Sequence, residues 1–211
     1  PVLLVMHFQK VAFGNPFRPG HLFVENPGFR VFHQQGFFGV NGLHVDAATR
    51  LLVDPKLGLF TTTPFFVLGG IGALVLLRDR SRRLETIVAI ACCLALYLPV
   101  IVLSNWDGGW VIGPRYLVAV FPFVAWLAAH GVVALRRTEP ALVAIPLGLL
   151  LASLVVSGIE STYYPHLPPE IRAPLADLYF PLIRAGYAPA NAGLSVGLPM
   201  ARSMLPLAVL G

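Results

Sequence analysis

The residues best equipped for chemistry stand together in Asn105-Trp106-Asp107-Gly108-Gly109-Trp110-Val111-Ile112-Gly113-Pro114-Arg115-Tyr116. Asp107 is the acid of this stretch and Arg115 its cation. Trp106 and Trp110 offer flat faces of the kind that stack on sugar rings. Gly108 and Gly109 let the backbone turn and come close to another group. Pro114 suits the first turn of a helix. Amides at that helix start, with Arg115 and Tyr116 beside them, would make a cationic spot able to hold a phosphate. Composition alone favours a plainer role for the same residues. Tryptophan and tyrosine gather at membrane interfaces, an arginine near a helix end reaches for headgroups, and an aspartate in a turn commonly caps backbone.

Other candidates are sparser. His33, within Phe32-His33-Gln34-Gln35-Gly36-Phe37-Phe38-Gly39, could donate to a ligand, although a loop histidine more often serves structure. His7, His21, His44 and His166 share no metal-ligand spacing, so no metal site is expected in this stretch. Cys92 and Cys93 are adjacent inside an apolar run, point about 100° apart on a helix, and read as small packing residues. Neither a glycine-rich phosphate loop nor a nucleophile elbow is present.

The elements that must position these residues are set by composition. Hydrophobic residues make up 56% of the 211 and charged ones 12%, with a mean hydropathy of +0.75. Soluble domains run roughly 45–50% apolar and about 25% charged, so this chain lacks the polar coat a water-facing surface needs. The net charge of +5 falls in short clusters between apolar runs, without a basic aromatic face, which excludes nucleic acid as a partner. The charge reads instead as a signal of membrane orientation.

Four uncharged runs have the length of a bilayer crossing: Gly58 to Leu77, Thr86 to Ser104, Tyr116 to Leu135 and Ala141 to Ile159. Backbone groups in lipid must pair internally, so runs of this length are helices. Pro64, Pro99, Pro122 and Pro146 would kink or start them. The turn 78–83 packs four arginines into six residues, and Arg136-Arg137 follow the third run. By the positive-inside rule both clusters are cytoplasmic, which puts 8–57, 105–115 and 160–203 on the outer side. The segment 8–57 alternates aromatics with Gly and Pro, and Asp46 to Val53 suits a short helix on the membrane surface. Pro174 to Gly186 is amphipathic, with Leu175, Leu178, Tyr179 and Leu182 on one face.

The expected architecture is therefore all-α and polytopic, with about four full spans and partial spans at both ends. Residues 1–57 form a partial span and an outer aromatic-rich segment, 58–159 a four-helix transmembrane core, and 160–211 an outer segment leading to a truncated final span. The chain opens and stops inside apolar segments, as a piece of a longer protein would.

Several stretches, in order, resemble bacterial polytopic glycosyltransferases of the GT-C type, relatives of the dolichyl-phosphate-mannose protein mannosyltransferases. Phe13-Gly14-Asn15-Pro16-Phe17-Arg18-Pro19-Gly20 is similar to an FGxPFxxGY pattern, with His21 in place of its tyrosine. Gly58-Leu59-Phe60-Thr61-Thr62-Thr63-Pro64 is similar to GLFxxSP, with Thr63 for serine. Gly108 to Leu117 looks like GGWxxGPRYL, and Asn191-Ala192-Gly193-Leu194 with Leu205-Pro206-Leu207 echo the approach to a last span. The resemblance implies the C-terminal portion of an enzyme of the bacterial cytoplasmic membrane. That enzyme would transfer a sugar from a polyprenyl-phosphate donor on the outer face, with its catalytic acid upstream of Pro1. It implies no cofactor in this stretch and leaves a divalent metal open for a longer chain. The partners implied are the lipid-linked sugar donor and membrane lipids. On this reading Arg115, Tyr116 and the helix start meet the donor phosphate, while Trp106, Asp107 and Trp110 line the sugar pocket. The rival reading is a non-enzymatic transporter or scaffold subunit. A transporter would place polar or charged groups at the midplane of discontinuous helices, and the expected spans hold almost none, His130 near the cytoplasmic end being the exception, which argues against ion-coupled transport.

Overall fold

The computed structural model describes residues 2–203 apart from 18, 19, 24, 26, 35, 37 and 38. The described chain is helical, and a lone antiparallel bridge between Val40 and Leu103 is its sole extended pairing. Among the described residues, three segments are long and apolar enough to cross a membrane: Arg83–Val100 (18 residues), Arg115–Thr138 (24) and Pro140–Tyr163 (24). At 1.5 Å per residue these reach about 27 to 36 Å, against a hydrocarbon core of about 30 Å.

Helix α1 is Val2–Phe13, α2 Pro27–Gln34 and α3 Val45–Val53. The core helices are α4 Leu59–Thr62, α5 Leu68–Arg78, α6 Arg83–Val100, α7 Phe121–Thr138 and α8 Ala144–Tyr163, and α9 is Phe180–Arg184. Only 28% of the Arg115–Thr138 window and 11% of the Pro140–Tyr163 window are buried inside the protein. Leu147, Leu151 and Leu154 on α8, and Leu84, Leu94 and Leu98 on α6, face outward. So much apolar surface is unfavourable in water by about 25 cal/mol per Å² and at home in lipid. The chain is a membrane protein.

The run Gly58 to Leu77, expected as a fourth full span, is divided. The α4 helix stops at Thr63, whose φ of −134° and ψ of 75° leave the helical region, and a 3-10 turn, Pro64–Val67, leads into α5. The cause is local. Pro64 lacks an N–H and crowds the residue before it out of the helical conformation. The broken ladder is repaired from the side: the Phe65 amide donates to Ser153 Oγ at 3.0 Å, and Ser157 Oγ donates to the Thr62 carbonyl at 3.5 Å. Two serines on α8 thus satisfy backbone that lipid cannot. Pro122 and Pro146, by contrast, sit in the first turns of α7 and α8, each just after a 3-10 turn.

Packing fixes direction. Gly69 lies beside Val124 and Gly72 beside Leu127, so α5 and α7 run parallel. A methyl group on Gly72 would overlap the Leu127 carbonyl, and one on Gly131 the Leu68 carbonyl. These glycines are what allows the two backbones to touch, as small residues do between membrane helices. The C-terminal half of α6, with Cys93, Leu96, Tyr97 and Val100, shares a core with Leu117, Val120 and Val124, so α6 runs antiparallel to α7. The arginine turn 78–83 and Arg136-Arg137 therefore gather at one end of the bundle, with residues 54–57 and 105–114 at the other. In the arginine turn, Asp79 Oδ1 accepts from the Ser81 amide at 2.9 Å and the Ser81 hydroxyl at 2.7 Å. Those bonds hold the Asp79 carboxyl below its ordinary range.

Two shorter expectations are met. The helix anticipated from Asp46 to Val53 is α3, and its buried Ala47 and Leu51 join the core that holds Trp106. The amphipathic stretch from Pro174 becomes a π-helical turn, Leu175–Tyr179, followed by α9. Its Leu175, Leu178, Tyr179 and Leu182 share a second core with Tyr163 and Leu167. The stretch 204–211, with Leu205-Pro206-Leu207, lies outside the described residues, as do Arg18 and Pro19.

Candidate functional site

At the end of the bundle away from the arginine turns, three loops are tied into one unit. Asp54 closes α3 and starts the knot. Its Oδ2 accepts from Arg50 Nε at 2.9 Å, and its Oδ1 from the amides of Lys56 (2.8 Å) and Leu57 (3.1 Å). Its carbonyl accepts from the Gly58 amide at 2.8 Å and from Thr61 Oγ1 at 2.6 Å. Gly58 is needed there, because a Cβ would lie 2.6 Å from the Asp54 amide.

Lys56 joins the other two loops. Its carbonyl accepts from the Gly113 amide at 2.8 Å, tying on the 105–114 loop. Its ammonium donates to the carbonyls of Leu167 (3.2 Å) and Pro168 (2.7 Å), tying on the strap that follows α8. The residue is 5% exposed. Burial pulls the ammonium below its ordinary range, opposed by the nearby carboxylates Asp107, Asp54 and Glu170. A third tie runs from His166, whose Nδ1 donates to the Trp110 carbonyl at 3.2 Å.

Between these loops lies a cavity of about 480 Å³, lined by Arg50, Asp54, Lys56, Leu57, Asp107, Gly109, Pro169 and Arg172. Asp107 spends one oxygen on the Gly109 amide at 3.1 Å, in an Asx turn. Gly108 and Gly109 take φ of +73° and +76°, which only glycine adopts freely, so this turn depends on them. The other Asp107 oxygen has no hydrogen-bond partner among the described residues. Arg50 is shared between Asp54 and the Trp106 ring, over which its guanidinium sits at 5.0 Å. Arg172 is exposed and has no partner among the described residues. The cavity thus presents an open guanidinium, a buried ammonium and a half-free carboxylate.

The residues singled out in the sequence divide accordingly. Asp107 lines the cavity. Trp106 is buried in the core and carries Arg50 on its face. Trp110 is 56% exposed and held through its carbonyl. Arg115 lies outside the lining; its guanidinium stacks over Tyr116 at 5.2 Å and reaches the Tyr116 hydroxyl at 3.4 Å. The helix start beside it is a 3-10 turn, Arg115–Val120. There the Arg115 amide donates to Gly113 and the Leu117 amide to Pro114, at 2.9 and 2.7 Å. The backbone of His33 belongs to α2, and its side chain lies outside the description. Arg50, Asp54, Lys56 and Arg172 were not among the sequence candidates, since no local pattern links residues 50–57 with 172. A hint existed in the charges standing between apolar segments, where an interface would hold them.

A second cavity, about 640 Å³, opens between α6 and α7 and is lined by Leu84, Val88, Ala89, Pro122, Phe123 and Trp126. Its one carboxylate, Glu85, is paired with Arg82 at 3.1 Å, so it offers little to a polar ligand.

Fold and site together define a multi-helix membrane protein with a charged cavity at one end of its bundle. No protein-family model matches the sequence, and neither does a curated protein or a solved structure.

Proposed function

We propose that this chain is part of a membrane glycosyltransferase that takes a sugar from a polyprenyl-phosphate donor at the end of the bundle away from the arginine turns. The observation that carries the reading is the cavity whose lining includes Arg172, Lys56 and Asp107. An isoprenoid donor has three parts with different needs. Its tail needs lipid-facing apolar helices, its phosphate needs cations at the depth of the headgroups, and its sugar needs hydrogen-bond acceptors. This end of the bundle supplies all three within one set of loops. The ordered stretches at 13–20, 58–64 and 108–117 support the same reading.

In this reading Arg172 receives the phosphate through charge-assisted bonds with the Lys56 charge beside it, and the free oxygen of Asp107 accepts from a sugar hydroxyl. Arg115, stacked on Tyr116, flanks the loop.

The test is donor turnover by the full-length protein in membranes, with a polyprenyl-phosphate sugar as substrate. Loss of a hydrogen bond to a charged group costs about 1.5–3 kcal/mol, so Arg172→Ala is expected to raise the donor KM about tenfold or more. Asp107→Asn is expected to lower turnover with a smaller change in KM. Unchanged kinetics in both variants would overturn the assignment, and an unchanged Arg115→Ala would remove Arg115 from the mechanism.

A transporter remains the rival because of a single residue. Glu160 is a buried acid in the last turn of α8, at the end that carries the charged loops, and buried acids of membrane helices mark ion and proton pathways.

A further inference from the structure

Glu160 is 7% exposed, and its Oε1 is fully enclosed without a hydrogen-bond partner. Neither an ion pair nor a hydrogen bond reaches this carboxyl from any described residue. It stands on α8 one turn beyond Ser157, on the face where Ser153 and Ser157 repair the break between α4 and α5. The π-helical turn Leu175–Tyr179 packs against the same helix. Tyr179 in that turn is fully buried and donates its hydroxyl to the Tyr164 carbonyl at 2.8 Å. Burial first, and then the nearby Glu160 charge, push the Tyr179 phenol above its ordinary range, so the two groups sense one another. Three irregularities thus meet at one place: a broken helix, a π turn and a carboxyl without a partner. π turns and intramembrane acids both concentrate where proteins function.

We propose that Glu160 is a proton-binding site, and that losing its proton loosens the Leu175–Tyr179 turn from α8. An ionised carboxylate with neither cation nor donor is strongly disfavoured in a low-dielectric interior, whereas the neutral acid is tolerated. The groups that face it are few. Tyr179 on the π turn senses Glu160, Asp177 on the same turn is exposed and accepts from the Ala173 amide, and Tyr163 shares α8. The α4 side offers Thr62 and Thr61, whose hydroxyls are already spent on the Gly58 and Asp54 carbonyls. Of the loop cations, Lys56 is occupied by Leu167 and Pro168, and Arg172, the nearer in sequence, is exposed. Nothing in this shell compensates a negative charge. Ionisation is therefore eased by letting water reach Oε1, and the junction with the short π turn is the place for the packing to open. The inference stands independently of the sugar-transfer reading.

Two measurements on the full-length protein test it. The first uses dicyclohexylcarbodiimide, an apolar reagent that couples to protonated carboxyls within membranes. Peptide mass analysis is expected to find the adduct on Glu160, decreasing as the pH is raised. The second is hydrogen exchange of the 175–179 backbone, corrected for intrinsic rates, in wild type and Glu160→Gln. The wild type is expected to lose protection from mildly acidic to alkaline pH, while the glutamine variant stays protected throughout. Tyr179→Phe keeps the Glu160 adduct and serves as a folding-compatible second variant. Equal pH dependence of exchange in wild type and Glu160→Gln would overturn the proposal. So would a wild-type protein in which Glu160 takes no adduct at acidic pH, a result that does not depend on any variant folding.

Discussion

Lys56 concentrates the energetics of the charged end in one side chain. Its ammonium holds two carbonyls of the 164–172 strap, and its own carbonyl holds Gly113. Lys56→Met keeps the aliphatic stem but strands both carbonyls, at a cost of about 1–3 kcal/mol. The strap is then expected to be cut more readily in limited proteolysis, with the helices intact. The pH dependence has a definite sign. A lysine held below its ordinary 10.5 in the folded state binds fewer protons there than in the unfolded chain. Stability from this residue therefore rises with pH in the window just below 10.5. Melting curves should show the deficit of Lys56→Met widening as that window is entered; a narrowing deficit would contradict the burial of this charge. Sequence gave partial sight of these residues. Asp107 stood out because its neighbours were unusual, whereas Lys56 and Arg172 are ordinary until the loops close on each other, 116 positions apart in the chain. Trp106 was legible as an aromatic of interest, but its burial under Arg50 depends on α3 packing across it, a contact that local pattern does not carry.

At the scale of elements, the helices were readable because membrane helices announce themselves by length and lack of charge. The break at Thr63 was half-readable: Pro64 signals a kink, yet the serines of α8 that make a full break tolerable lie about 90 residues away. The α5–α7 contact has a sharper dependence on sequence. Gly72→Val would force a branched side chain into the Leu127 carbonyl, and overpacking of this kind typically costs about 1–3 kcal/mol or more. Gly148→Val is its natural control, because a side chain at that position of α8 meets nothing within 4 Å. The first variant is expected to lower the melting temperature in detergent and the second to leave it nearly unchanged. Equal effects would mean that the glycines matter for propensity alone and not for close approach. The amphipathic face of Pro174 to Gly186 was also visible in sequence, but its π turn was not, since the extra residue per turn follows from packing on α8 rather than from composition.

For the whole molecule, the decisive feature is polarity of layout. The arginines of 78–83 and 136–137 collect at one end, and the loops that carry Lys56, Asp107 and Arg172 collect at the other. Charge distribution anticipated this division, and the parallel run of α5 and α7, with α6 antiparallel to α7, supplies its geometric basis. The proposed donor chemistry and the membrane orientation both depend on that layout. Substituted-cysteine accessibility tests it most directly, in the full-length protein with Cys92 and Cys93 replaced by alanine. Pro169→Cys places a thiol on the exposed rim of the charged cavity, and Ser81→Cys places one in the exposed arginine turn. With a membrane-impermeant maleimide on intact cells, residue 169 is predicted to label at once and residue 81 only after permeabilisation. Labelling of both positions from the same side of an unbroken membrane would contradict the account.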